Sequence, residues 1–171
     1  DCFGVKDGFT SDLHLTFSIK ETCHDIAIVV PNASKNPWKR LKNIFSDPKE
    51  EEILFSILIN LRKQVPHLYI EFIQRHFIAR KVAVRDGFME FNIDTLGKKF
   101  KNEKTKAKEF PIWHQAIKSA VLNKSKINGQ IMFKARFFYN DTKDIDKPGF
   151  IKTAEKTIKA FKPLYKFIRL K

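Results

Sequence analysis

The sequence predicts an α+β fold, an antiparallel or mixed sheet of about six strands with about four helices packed mostly on one face. Several short segments alternate apolar and polar residues, as half-buried strands do. Other segments repeat apolar residues every three or four positions, which is typical of amphipathic helices. In chain order the segments are β-β-α-α-β-β-β-α-β-α. With 43% hydrophobic residues, we expect one globular domain over residues 1–171.

The first two strands are predicted at residues 12–20 and 25–31. In the first, polar residues alternate with an apolar set that consists of Leu13, Leu15, Phe17 and Ile19. The second, DIAIVVP, is apolar on both faces, which is typical of an interior strand, and Pro31 ends it.

Two helices follow. Asn36 is predicted to cap a short helix that has Pro37 at its first position. Asp47-Pro48 and the acidic residues after it predict the start of a second helix over residues 48–64. Its apolar stripe is Leu54, Ile57, Leu58, Leu61 and Val65.

A β-meander over residues 68–94 is predicted to form the centre of the sheet. A strand over residues 69–78 precedes a hairpin in which Asp86-Gly87 has the composition of a two-residue type I′ turn. That turn would place Val84 opposite Met89.

The last third of the chain alternates basic and apolar segments. Residues 97–108, GKKFKNEKTKAK, hold six lysines and are predicted to form a mobile loop. A helix is expected to begin at Pro111, a strand to run over residues 130–139, and an amphipathic helix to end the chain, kinked or divided by Pro163 near residues 159–162.

The positive charge is confined to one part of the sequence. Residues 1–97 contain 13 basic and 13 acidic residues, whereas residues 98–171 contain 20 basic and six acidic ones and carry the whole net charge of +14. Such asymmetry indicates a polyanionic partner.

We therefore predict a nucleic-acid-binding domain that contacts the phosphate backbone, with DNA favoured over RNA. Its predicted contact residues are the cations Lys98, Lys99, Lys101, Lys104, Lys106, Lys108, Lys124, Lys126, Lys134 and Arg136. An excess of lysine over arginine favours backbone contacts over base recognition. A cytoplasmic place within a larger restriction, defence or mobile-element protein fits this interpretation, as do further protein subunits as partners.

Three alternatives remain open: a protein-interaction module, a metal-dependent nuclease that uses Glu90 and Asp94, and a basic surface that only keeps the protein soluble. The last helix could also lie on an anionic membrane or in a partner's groove. No catalytic or phosphate-binding motif is present, so we assign no catalytic residue, metal ligand or cofactor.

Cysteine usage and hydropathy argue against a disulfide-rich protein and against a membrane-spanning one. Cys2 and Cys23 are too few for a disulfide framework, and we expect reduced thiols rather than a bridge between them. The apolar runs are too short for a membrane span. Because the chain begins without Met, we expect a fragment or a processed product.

Overall fold

Five antiparallel strands and four helices make up the computed structural model, which describes residues 12–77, 83–94, 96, 103–123, 129–139 and 147–169. The strands are β1 (His14–Ile19), β2 (Cys23–Val30), β3 (His67–Phe77), β4 (Ala83–Asn92) and β5 (Gly129–Phe138). The helices are α1 (Lys35–Ser46), α2 (Pro48–Arg62), α3 (Glu103–Leu122) and α4 (Lys147–Arg169). The predicted α+β class is confirmed, with five strands in place of about six.

The strand order in the sheet is β1-β2-β5-β3-β4, so β5 lies at the centre although it comes last in the sequence. It pairs antiparallel with β2 on one side and with β3 on the other. Residues 131–136 of β5 therefore have partners on two strands that are contributed by the first half of the chain.

The predicted central meander is wrong, because β3 and β4 form one long hairpin. Asp86 and Gly87 lie inside β4, where Gly87 pairs with Gln74 and the register shifts between Gln74 and Arg75. A glycine inside a strand often marks such an irregularity, since the extra residue is absorbed without ending the ladder. Met89 consequently pairs with Phe72 rather than with Val84.

The starts of the first two helices follow from local hydrogen bonds. Asp47 caps α2 by accepting a hydrogen bond from the Lys49 backbone N–H at 2.9 Å, and Pro48 occupies the first helical position, as predicted. In α1 the capping position is Ser34 rather than Asn36, and the Ser34 hydroxyl donates instead to the carbonyl of Pro31 at 2.7 Å.

Helix α3 begins at Glu103, well before the predicted start at Pro111. Lysine, alanine and glutamate predominate at residues 103–109 and are good helix formers, which favours this extension. Residues 103–108 of the predicted mobile loop are therefore helical, whereas residues 97–102 lie outside the described part of the chain. Helix α4 continues through Pro163 to Arg169.

The core lies between one face of the sheet and the helices. Side chains from the central strands, among them Ile28, Ile70 and Phe133, are buried there together with residues of all four helices. Cys23 is a free, buried thiol, as expected, and Cys2 lies outside the described residues. Within the described ranges, no helix is long and apolar enough to cross a membrane.

The close approach of Gly129 to Phe72 makes this glycine sensitive to substitution. A Cβ atom at position 129 would lie 2.4 Å from the Phe72 ring, whereas one at position 87 would lie no closer than 3.5 Å to Gln74. We expect Gly129→Ala to lower the free energy of unfolding by about 1–3 kcal/mol because the ring must move. Urea titration measures both this variant and the matched control Gly87→Ala, which should lose less stability. Equal losses in the two variants would contradict the close packing of Gly129 against Phe72.

Candidate nucleic-acid interface

The structure describes some of the ten predicted contact residues and not others. Lys134 and Arg136 lie in β5, and positions 104, 106 and 108 lie in the first turns of α3, where only the backbone is described. Lys98, Lys99, Lys101, Lys124 and Lys126 lie outside the described residues. The ten are therefore not shown to form one surface.

Lys134 and Arg136 are buried, with relative exposures of 2% and 9%. Both lie on the sheet face opposite the helices, because their register partners on β2 and β3 point away from the apolar core. The alternation predicted for β5 is confirmed, but its polar side is not solvent-exposed. A buried cation is stable only when it is paired.

Carboxylates from two strands pair with Arg136. Its Nε and Nη2 donate to the two oxygens of Asp25 at 2.8 and 3.1 Å, and its Nη1 and Nη2 donate to Glu90 at 2.9 Å each. The guanidinium also lies over the ring of Tyr69, 4.4 Å from the centroid. Two bidentate pairs and a stacked ring fix the guanidinium firmly.

Lys134 lies between two glutamates. Its ammonium donates to Glu71 on β3 and to Glu90 on β4, which face each other directly across the hairpin. Two carboxylates in that position would repel each other, so the ammonium between them removes an electrostatic cost. Together with Lys20, which donates to Asp25 at 2.8 Å, these groups form what we call the sheet ion network: Lys20, Asp25, Glu71, Glu90, Lys134 and Arg136.

The pKa values of the three carboxyl groups in the network shift in different directions. Burial alone would raise the pKa of Glu90, but hydrogen bonds from Arg136 and Lys134 outweigh it and lower the pKa to about 2. At Glu71 burial dominates and raises the pKa, although Lys134 opposes it. Burial also opposes ionisation of Asp25, yet Arg136 and Lys20 lower its pKa below the ordinary value.

The sheet ion network balances three acidic groups against three basic ones. The charges of Lys134 and Arg136 are therefore already neutralised within the protein, which argues against the predicted phosphate contacts at these two positions. A polar alternation on a strand does not distinguish a solvent-facing cation from one whose carboxylate partners are distant in sequence. Sequence reasoning missed the network for this reason.

An exposed basic surface is present instead on α4. We call it the α4 basic face; its six members, all exposed, are Lys152, Lys156, Lys159, Lys162, Lys166 and Arg169. Glu155 is the one acidic residue among residues 149–169. None of the six forms an ion pair with another described residue. Their spacing was the available signal, but the sequence analysis considered this helix for packing, a membrane or a partner's groove and not for phosphate contacts.

A smaller basic feature lies beside the start of α1. An open hollow there is lined by Lys35, Lys39 and Lys42, which follow one another at helical spacing, and by Trp38. The indole N–H of Trp38 donates to the carbonyl of Pro31 at 2.7 Å and fixes this end of the helix. The three lysines of this hollow add positive charge to that of α4, although they belong to residues 1–97, whose charges balance.

The carboxylates considered for a nuclease are engaged in other contacts. Glu90 belongs to the sheet ion network, and Asp94 accepts hydrogen bonds from the Leu68 backbone N–H and the His67 ring at 2.7 and 2.8 Å. Across the described ranges, no group of three or more histidine, cysteine, aspartate or glutamate side chains is arranged to hold a metal ion.

Comparison with protein-family models, curated proteins and solved structures found no match to this chain. Its function must therefore be inferred from burial, charge and geometry.

Replacing Lys134 tests whether its charge acts inside the protein. Lys134→Met leaves Glu71 and Glu90 facing each other without a cation, so we expect the free energy of unfolding at pH 7 to fall by about 3–5 kcal/mol. Adding Glu71→Gln should restore part of this loss. Lys159→Met is the control for an exposed lysine and should change stability by about 0.5 kcal/mol or less. An unchanged free energy of unfolding in Lys134→Met would contradict the role assigned to the network.

The lowered pKa of Glu90 predicts a pH dependence of stability. A carboxyl whose pKa falls from 4.5 to about 2 on folding stabilises the fold above pH 4.5, and this contribution disappears as the pH falls toward 2. Glu90→Gln should therefore be less stable than wild type at pH 7, with the difference shrinking between pH 4.5 and 2. Urea titrations at each pH measure this difference in the free energy of unfolding. Glu155→Gln on α4 is the control, and a parallel pH profile in both variants would disprove the assignment.

Proposed function

We propose that the protein binds nucleic acid, DNA in preference to RNA, through the phosphate backbone. The α4 basic face is the observation that carries the proposal, because it holds six exposed cations on one helix without described ion-pair partners. The predicted lysines of residues 98–126 would extend the contact.

The chemistry of the α4 basic face suits phosphates better than base edges. Five of its six cations are lysines, which act as point charges toward phosphate and carry little base discrimination. Each neutralised phosphate releases condensed counterions, so affinity would fall steeply as salt is added.

The length of α4 also suits a nucleic-acid backbone. Its 23 residues span about 35 Å at the α-helical rise. One turn of duplex DNA is about 34 Å long, so cations along the helix could reach phosphates over much of a turn. Binding of this kind orients a nucleic acid without reading its sequence.

Salt-dependent binding to a 20-base-pair duplex tests the proposal. We expect Lys156→Gln/Lys166→Gln to weaken binding about equally for different sequences and to reduce the slope of log K against log salt by up to about 1.8, since each phosphate contact contributes about 0.9. Lys49→Gln/Lys63→Gln removes the same charge from the two ends of α2, at its first turn and its C-cap, and should change the slope less. Wild-type binding that barely responds to salt would disprove the proposal.

A second variant tests the predicted lysines of the sequence analysis separately. Replacing Lys98, Lys99, Lys101, Lys104, Lys106 and Lys108 with Gln should weaken every duplex sequence by a similar factor if this segment contacts phosphates. Unchanged affinity would restrict the contact to the α4 basic face and its surroundings. An RNA duplex of the same sequence, titrated in parallel, tests the preference for DNA.

A further inference from the structure

Among the described residues, an apolar groove lies open between β1 and α4. The apolar side chains from Leu13 along β1 pass from the core into this groove: Leu13, just before the strand, is 3% exposed, Phe17 is 49% exposed and Ile19 is 80% exposed. The first part of the groove, about 360 Å³, is lined by Phe17, His24 and Phe150, among others. The Phe150 ring lies 6.4 Å from that of Phe17 and 5.1 Å from that of His24, so three rings surround one opening.

Cations border the continuation of this groove. A second hollow of about 290 Å³ shares Ile158 with the first and is lined by Tyr165, Lys159 and Lys162. Both lysines belong to the α4 basic face. The groove therefore combines a ring-lined first part, which Asp25 and Glu155 also line, with a second part that carries two lysines of the helix proposed to contact phosphates.

His24 provides an unused polar group in the wall of the groove. Its ring stacks on Phe137 at 4.8 Å, and its Nε2 atom is buried without a hydrogen-bond partner among the described residues. Burial lowers the pKa of His24 although Asp25 opposes this, which favours the neutral imidazole at pH 7. His24 therefore adds an uncharged aromatic ring to the wall of the groove.

We propose that the groove between β1 and α4 binds unpaired nucleotides of a single-stranded nucleic acid, with bases against Phe17 and Phe150 and phosphates at Lys159 and Lys162. This inference rests on the proposed function and assigns a preferred substrate to it. Aromatic platforms beside cations are the common means of holding single strands, because every base has a face that can stack. In a duplex those faces are already stacked on one another.

Charge complementarity identifies the occupant of the groove. Lys159 and Lys162 line the second hollow, the rest of the α4 basic face lies on the same helix, and the whole chain carries +14, so the ligand should be a polyanion. Asp25 and Glu155 line the first hollow, so the phosphates should lie at the lysine end. The floor of the groove is apolar and aromatic, so the same ligand should present flat apolar surfaces. A single-stranded nucleic acid has both properties along its whole length.

The test compares a dye-labelled dT12 strand with a 12-base-pair duplex by fluorescence anisotropy. Phe17→Ala should weaken dT12 binding at least about fivefold and leave duplex binding unchanged, since the ring contributes by stacking. Ile53→Ala, which alters an equally exposed apolar residue of α2 outside the groove, should change neither. Phe17→Leu keeps an apolar side chain but removes the ring, and it should also weaken dT12 binding if Phe17→Ala proves unstable.

The outcomes separate this inference from the proposed function. If Lys156→Gln/Lys166→Gln weakens binding but both Phe17 variants bind dT12 as wild type does, nucleic-acid binding stands and the groove assignment fails. If neither change affects binding, both fail. A labelled acidic peptide rich in leucine and glutamate is titrated in parallel. Loss of its binding in Phe17→Ala, with dT12 binding intact, would assign the groove to a protein partner and overturn the inference.

Discussion

The burial of two cations on the central strand is the constraint on which the rest of the sheet depends. Lys134 and Arg136 lie on β5, and their partners Asp25, Glu71 and Glu90 come from β2, β3 and β4. A shift of β2, β3 or β4 by one residue would turn its carboxylate to the apolar core and remove one of the two carboxylate partners of a buried cation. The network therefore specifies strand order and register together, although such pairs add little stability by themselves.

Features encoded by short stretches of sequence could be predicted. The apolar run of β2 indicated an interior strand, Asp47-Pro48 indicated the start of α2, and the alternation over residues 130–139 indicated β5. In each case the deciding interaction, a cap or a side-chain period, lies within a few residues of sequence. The α+β class followed because it depends on the order of such elements and not on how they pair.

Features that depend on distant pairing could not be predicted. Asp86-Gly87 has the composition of a hairpin turn, but β3 offers a longer ladder in which Gly87 pairs with Gln74 and Asp86 is the extra residue. The same limitation applies to the sheet ion network. Alternation placed Lys134 and Arg136 correctly on the polar side of β5, yet their partners lie between 44 and 111 residues away in sequence. Nothing local distinguishes such burial from exposure to water.

Internal pairing cannot account for the net charge of this protein. The sheet ion network uses equal numbers of acidic and basic groups, so the whole excess of +14 lies outside it. An excess of this size destabilises a compact state by self-repulsion, and a polyanionic partner relieves that cost. On α4 the cations are held along one rigid helix, with Glu155 as the single nearby carboxylate in that segment. A phosphate backbone bound as proposed would meet cations whose helix is already ordered, so binding would not have to order the backbone that carries them.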